Sequence, residues 1–292
     1  MADRAADSLG RADFWHELKR VARRKPKLRE KAFSAFSERG GYPLAHALAD
    51  EPWGEVAQQL NETIIRRVIT HDLRVGDRGR RRDPGLLEEV FRLGCRYVGQ
   101  CPGPQKLLQD AQKALGDKIG VDRIKHYLEV LDMALLLRQV PPLELRMKRS
   151  RGAAKLCLVD HGLRASWLQE VIPIEPSKLR DACHQCDLAG RIVESVVGAY
   201  FLGLPGIGVS HFPERKGEPE VDFVLTLGDK RIPIEVKYRR RVDLHDDTAG
   251  LRSFLGKSVY NAPFGVMVTQ DEIQFANERI ICVPLPALLS LY

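Results

Sequence analysis

Apolar residues recur at helical spacing through the first quarter of the chain. Phe14, Leu18, Val21 and Ala22 form one stripe. A second helix is predicted near Ala32–Arg39, stopping at Gly40-Gly41 because glycine accepts the backbone angles of a helix end, and Tyr42-Pro43 restarts the chain. Val56, Leu60, Ile64, Ile65 and Val68 form a third stripe, predicting a helix over Trp53 to Thr70. The run from Arg78 to Gly85 has no apolar residue and reads as a linker.

Residues 86–165 change pattern. Helices are predicted over Leu86–Val98, Lys106–Leu115 and a stripe of Val121, Ile124, Leu128 and Leu131. Two strand-like apolar runs follow, Leu135–Met147 and Lys155–Val159, around the basic tip Lys148-Arg149-Ser150-Arg151-Gly152. Helix, helix, glycine-bearing turn, helix and hairpin is the order of a winged helix-turn-helix. Beyond Pro173 and Pro176 the order is α/β: a helix near Leu188–Leu202, strands at Val221–Leu227 and Arg231–Tyr238, a helix near Thr248–Lys257, then strands at Gly265–Thr269 and Ile280–Val283. The expected organisation is α+β, with a helical segment at 1–82, a winged helix-turn-helix at 83–165 and an α/β domain at 166–292.

Composition narrows the function. Charged residues at 29% and hydrophobic residues at 44% are those of a soluble globular chain. Aromatics at 7% argue against an aromatic platform for single strands. A net charge of +7 favours an anionic partner, nucleic acid or an acidic protein. Charges interrupt Met1–Arg20, so no signal peptide is expected, and no apolar run is long enough to span a bilayer. Six scattered cysteines suit a reducing, cytoplasmic setting. Cys183-His184-Gln185-Cys186 has one metal-like pair where a zinc site usually needs two, so packed thiols are expected there.

The hairpin at 221–238 carries the chemistry. Gly228-Asp229 suits a two-residue turn, which pairs Leu227 with Lys230 and, counting back, Asp222 with Glu235. Like charges directly opposite destabilise a sheet. A cation between them would offset that repulsion, and two carboxylates suit Mg²⁺. Lys237 lies on the same face, about 6–7 Å along the strand, where it can polarise a phosphate or a metal-bound water. The alternative on spacing alone is a surface hairpin with a Glu235–Lys237 salt bridge. Pro233 sits awkwardly for a central strand.

Asp222 with Glu235-Val236-Lys237 resembles the PD-(D/E)XK nuclease superfamily. The longer strings Glu220–Leu225 and Ile232–Lys237 resemble the C-terminal domain of a large group of prokaryotic AAA-type ATPases. Arg39-Gly40-Gly41-Tyr42-Pro43 is similar to the turn after that family's ATPase core. Lys155–Leu163 is similar to the strand closing its winged helix, and Ile192–Val197 to the helix with the superfamily's extra glutamate. The resemblance spans nearly the whole chain. It implies an ATPase lid-like remnant, a winged helix and a restriction-endonuclease-like domain. It also implies Asp222 and Glu235 as Mg²⁺ ligands, Lys237 as catalytic cation and Glu194 as third ligand. Glu194 falls off the stripe of Ile192, Val193, Val196, Val197 and Tyr200, so a solvated residue stays open as the alternative.

The family's nucleotide-binding core, expected before residue 14, is absent. Gly250 and Gly256-Lys257-Ser258 enclose five residues where a P-loop has four, so no ATPase activity is expected. DNA contacts are expected at the wing (Arg146, Lys148, Arg149, Arg151) and on the third helix (Arg123, Lys125), with solvated surfaces as the alternative. Two functions remain open. One is a Mg²⁺-dependent DNA phosphodiesterase. The other is a non-catalytic DNA- or protein-binding arm of a split or truncated ATPase, whose partner would be DNA, a separate ATPase or another protein.

Overall fold

The N-terminal helix α1 (Ala12–Ala22) turns Trp15, Leu18 and Ala22 inward. The buried stripe is rotated by one residue from the predicted one, for Phe14 is half-buried and Val21 is exposed. Trp15 decides the rotation: its indole N–H donates to the Leu9 carbonyl at 3.0 Å and its ring meets Phe201. The computed structural model describes residues 7–24, 26–70, 83–116, 119–144, 152–215, 217–275 and 277–290. After α2 (Pro26–Arg39) and α3 (Pro43–Ala47), helix α4 (Trp53–Leu60) runs through a π-turn at Asn61–Ile65 into α5 (Arg66–Thr70). The wider π-turn shifts the buried face by a residue, so Ile65 and Ile69 follow Val56 and Leu60 into the core in place of Val68. Most of the predicted linker, residues 78–82, lies outside the described residues.

Helix α6 (Pro84–Arg96) starts at Asp83, whose carboxylate accepts the Leu86 N–H at 3.1 Å. Helices α7 (Pro104–Leu115) and α8 (Val121–Met133) precede the antiparallel pair β1 (Leu137–Val140) and β2 (Lys155–Leu158). Leu156 also exchanges backbone hydrogen bonds with Gly99 and Gln100, both at 2.8 Å, adding a third ply to the hairpin. The order of helices and hairpin is as predicted, with β1 shorter than expected because Leu135 takes a left-handed turn at φ 56° before it and Pro141-Pro142 follow it. A helix that the sequence pattern does not reveal follows, α9 (His161–Leu168).

After α10 (Pro176–Asp181) and α11 (Cys186–Leu202), five strands form one sheet in chain order: β3 (Gly208–Phe212), β4 (Val221–Leu227), β5 (Lys230–Lys237), β6 (Gly265–Thr269) and β7 (Ile280–Pro284). The first three are antiparallel, and β5, β6 and β7 are parallel. Strand β3 was not foreseen; Gly208, Ser210 and His211 leave only Val209 and Phe212 as apolar positions. Helix α11 meets the face formed by Phe223, Leu225, Ile232 and Ile234, and α12 (Ala249–Leu255) covers Val224, Met267 and Cys282. Pro233 fits because the ladder to β6 begins one residue later, at Ile234↔Val266. Gly250 of the P-loop-like stretch lies inside α12, where a Cβ would collide with the Glu220 carbonyl oxygen. Lys257 is paired with Glu218.

One apolar core runs from Leu9 and Trp15 through Phe91, Leu137 and Leu158 to Val283 and Leu288, so it joins all three predicted segments. Helix α1 itself packs on β7 and on α13 (Leu285–Leu288), at the far end of the chain. A second tie is polar. The Asp160 carboxylate caps α9 by accepting the Gly162 N–H at 2.6 Å, and it also accepts the N–H of Gly41. Gly40 adopts φ 78°, and a Cβ there would collide with Asp160 Oδ1.

This clasp is testable. Gly40→Ala forces a side chain into both a left-handed angle and the carboxylate, and should destabilise by roughly 1–3 kcal/mol. Asp160→Ala leaves two amide donors without their acceptor and should cost about 1–3 kcal/mol. The double variant should lose less than the sum, since the alanine at 40 then meets no carboxylate. Urea unfolding of the four proteins checks this; strict additivity would show that the two residues are not coupled.

Candidate functional site

The backbone ladder between β4 and β5 runs from Leu227↔Lys230 to Phe223↔Ile234, in the register the turn predicts. One pair further, where Asp222 should face Glu235, a side chain takes over. Asp222 Oδ2 accepts the Val236 N–H at 2.8 Å. Both carboxylates are buried, at 6% and 5% exposure. The Glu235–Lys237 salt bridge of the alternative exists at 2.7 Å, but the hairpin that carries it is mostly buried rather than on the surface, with Lys237 partly exposed at its end.

Two further groups complete the cluster. Glu194 comes from α11, and its side chain is mostly buried, so the solvated alternative is also overturned. It lies off the apolar stripe because it meets the Lys155 ammonium rather than an apolar side chain. The second group is Lys155, which the sequence groups with the basic wing as a phosphate contact and which is instead buried against carboxylates. It is the first residue of β2 and is 4% exposed. Its ammonium pairs with Glu194, lies 3.1 Å from Asp222 Oδ1, and sits 5.0 Å over the Phe223 ring. The available signal was a lysine opening an otherwise apolar strand, Lys155-Leu156-Cys157-Leu158, all four of which are buried. Such a lysine needs a counter-charge nearby.

Helix and strand geometry hold this lysine in place. The Leu158 N–H donates to Ser195 Oγ at 2.8 Å, so consecutive residues of α11, Glu194 and Ser195, grip the two ends of β2. Gly198, one turn on, lets α11 approach: a Cβ there would lie 2.6 Å from Cys157 Sγ and 2.7 Å from the Phe223 ring. His211 of β3 holds the base of the hairpin. Its ring donates to the Ala153 carbonyl at 3.0 Å, and its backbone exchanges hydrogen bonds with Pro141 and Leu143. Burial, reinforced by the Lys155 charge, pushes His211 down to about 4, so its ring is neutral at ordinary pH.

The charges are unequally settled. Burial and the Asp222 charge raise Glu194 well above the usual carboxylate range, against the pull of Lys155. Burial and Asp222 likewise push Glu235 up to about 8, with Lys237 opposing. Burial acts on Asp222 in the same sense, but Lys155, the Val236 amide and Lys237 outweigh it and hold Asp222 below its ordinary value. Asp222 is therefore the resident anion of the group. Burial works against the charge on Lys155, but Asp222 and Glu194 raise it well above the ordinary lysine value.

Three carboxylates suit Mg²⁺ chemically, and Glu235 Oε2 is a buried acceptor with no hydrogen-bond partner. The arrangement nevertheless does not fit the ion. The position between Glu194 and Asp222 holds an ammonium, and among the described residues no three His, Cys, Asp or Glu side chains converge as ligands of one metal. That includes the neighbourhood of Cys186, whose thiol lies 4.0 Å from the Leu179 carbonyl.

The expected DNA contacts divide. Arg146, Lys148, Arg149 and Arg151 lie outside the described residues. Arg123 and Lys125 are exposed on α8, 3.4 Å from Asp83 and 3.7 Å from Asp122. With Asp122 and Glu129 also exposed, that helix face is close to electrically balanced.

The family described as Domain of unknown function (DUF8612) matches residues 30–171, and the one described as Domain of unknown function (DUF4143) matches residues 189–288. The second is a kind of domain often found at the C-terminus of AAA-type ATPases. Each match covers less than half of the chain, and they meet on either side of the carboxylate cluster: Lys155 belongs to the first, Glu194, Asp222, Glu235 and Lys237 to the second. Neither a curated protein nor a solved structure matches the chain.

Proposed function

We propose that this chain is a non-catalytic binding arm, built on a winged helix and a nuclease-like sheet, that associates with DNA electrostatically. The observation that carries the reading is the Lys155 ammonium lodged between Glu194 and Asp222. It neutralises the charges that a phosphodiesterase would use to hold Mg²⁺. Support for DNA comes from the excess of basic residues, concentrated at 19–31, 78–82 and 146–151. The DUF4143 match fits an arm of the ATPase-associated kind, with a separate ATPase as a further partner.

One observation favours a second reading. The unpartnered Glu235 Oε2 beside Lys237 is the start of a Mg²⁺ site and a catalytic cation, as a phosphodiesterase requires. Incubation with MgCl₂ and single-stranded, duplex and branched DNA separates the two. No cleavage above background is expected, and no change in wild-type melting temperature with magnesium. Cleavage that Asp222→Asn abolishes would make the second reading the correct one. DNA binding should weaken steeply with salt. Changing Arg149 and Arg151 together to alanine should flatten the log–log salt slope by roughly 0.9 for each phosphate that is no longer neutralised.

The cluster also sets a pH dependence. Glu235 holds its proton up to about pH 8 in the folded protein, from an ordinary value of 4.5. Between these values the folded state binds the extra proton, so stability falls as pH rises and levels off above about 8. Glu194, raised in the same direction, adds to the trend. Each pH step in the window is worth at most about 1.4 kcal/mol per proton. Glu235→Gln should flatten the curve of melting temperature from pH 5 to 8. A wild-type curve that rises over this range, or is unaffected by the substitution, would mean Glu235 is ionised in the fold.

A further inference from the structure

Strands β5, β6 and β7 are parallel, so their carboxyl ends point the same way. In open α/β sheets the space outside such ends is where ligands settle. Here the chain leaving the three strands, at Tyr238, Gln270 and Pro284, lines a two-lobed cleft bounded on its other sides by α1, α2 and α10. The lobes measure about 510 and 410 Å³, in the range of small-molecule sites. They adjoin, since Pro176, Arg180, Gln270 and Asp271 border both. No residue of the Lys155 cluster lines either lobe.

Two observations point to a ligand. Gln270 is 8% exposed, and its side-chain amide has no hydrogen-bond partner among the described residues. Neither amide atom is sealed from solvent, so the group opens into the cleft that it borders. Burying such an amide has a cost that a bound partner would offset. The second observation is charge. Around the larger lobe the charges are settled within the protein: Arg23 pairs with Glu272, Arg29 with the Ala22 carbonyl, and Glu175 with Lys178 at 3.5 Å. Around the smaller lobe Arg239 pairs with Asp247, but Arg180 and Arg240 are exposed and meet no carboxylate among the described residues. Asp271 alone opposes them there, among the described residues. The wall between is apolar: Pro176, Leu179 and the ring of Tyr238, whose hydroxyl already donates to the Ile174 carbonyl.

We propose that this cleft binds a nucleoside monophosphate, with the phosphate on Arg180 and Arg240, the flat base against the apolar wall and the edge of the base on Gln270. Guanidinium groups meet phosphate oxygens through a planar fork of donors. An amide offers a donor and an acceptor side by side, as a base edge requires, and Asp271 can accept from a ribose hydroxyl. Neither arginine belongs to the basic segments assigned to DNA.

Titration calorimetry and thermal melting of the full chain with AMP, GMP, CMP and UMP test this, with the matching nucleosides and inorganic phosphate as controls. At least one nucleotide should bind saturably and raise the melting temperature, about tenfold or more tightly than its nucleoside or phosphate alone. Arg180→Ala removes a charge-assisted contact from an exposed position. It should weaken binding by about tenfold or more and leave the melting temperature of the free protein unchanged. Gln270→Leu separates recognition from packing, because replacing an unpartnered amide by an apolar group of similar size is neutral or stabilising. The free variant should melt no lower than wild type, while its nucleotide affinity falls. No binding of any nucleotide, binding matched by inorganic phosphate, or affinity unchanged in Arg180→Ala would overturn the proposal. So would a Gln270→Leu protein that melts lower yet binds as before, since the amide would then serve the fold. Duplex DNA binding weakened by Arg180→Ala as much as nucleotide binding would also overturn it, by assigning the arginine to a DNA surface.

Discussion

A buried ammonium between two buried carboxylates is the constraint on which the middle of this molecule depends. Lys155 is almost wholly removed from water, as is Asp222, and Glu194 is mostly so. Removing one partner of such a group leaves an unpaired charge in a poor solvent, at a cost of roughly 3–5 kcal/mol, whereas the intact pair contributes little net stability. The cluster thus acts less as glue than as a condition. Strand β2 must sit where its lysine meets Glu194 and Asp222, or Lys155 and Asp222 each hold a charge they cannot solvate. Gly198 and Ser195 follow from that condition. One lets α11 come close enough, and the other holds the far end of β2.

The second joint uses backbone N–H groups in place of an ammonium. The Gly40-Gly41 turn and the Asp160-His161-Gly162 segment lie far apart in the chain, yet one carboxylate serves both. His161 continues the contact: its ring is buried against Phe36 and lies 3.4 Å from the Ser37 carbonyl, and burial lowers its basicity. Ser37 in turn accepts the N–H groups of Ile174 and Glu175, both at 2.9 Å. The end of α2 is therefore tied into the start of the sheet unit through a short relay of polar groups.

Much of this was legible in the sequence wherever a pattern is local. The turn at Gly228-Asp229 fixed the β4–β5 register, and the order of helices and hairpin at 84–158 followed from periodicity and glycine placement. The misses share a cause. Trp15 rotates α1 because of a distant phenylalanine, and the π-turn at Asn61–Ile65 moves the stripe of the third helix; neither is written in i, i+4 spacing. Strand β3 carries too few apolar side chains, Val209 and Phe212 alone, to stand out. Lys155 reads as part of a motif rather than as a charge in need of a partner, since nothing in its own neighbourhood carries the carboxylates. Glu194 stays undecided in the sequence for the same reason: one helix shows which residues are apolar, not which distant strand the polar ones face.

Why a lysine should stand there rather than an apolar residue is a question of register. A buried ion pair roughly breaks even against well-packed hydrophobic side chains, so stability alone does not select it. Strand β2 is apolar at Leu156, Cys157 and Leu158, and each could pack in a neighbour's place. Slipping by one residue would exchange the faces of the strand. Leu156 would then abut Glu194 and Asp222, and the ammonium would lose both carboxylates that it meets. Apolar packing tolerates the slip; the charge does not. The lysine thus converts a permissive strand into one with a single alignment. The carboxylates that resemble a nuclease's ligands then specify how two units of one chain dock.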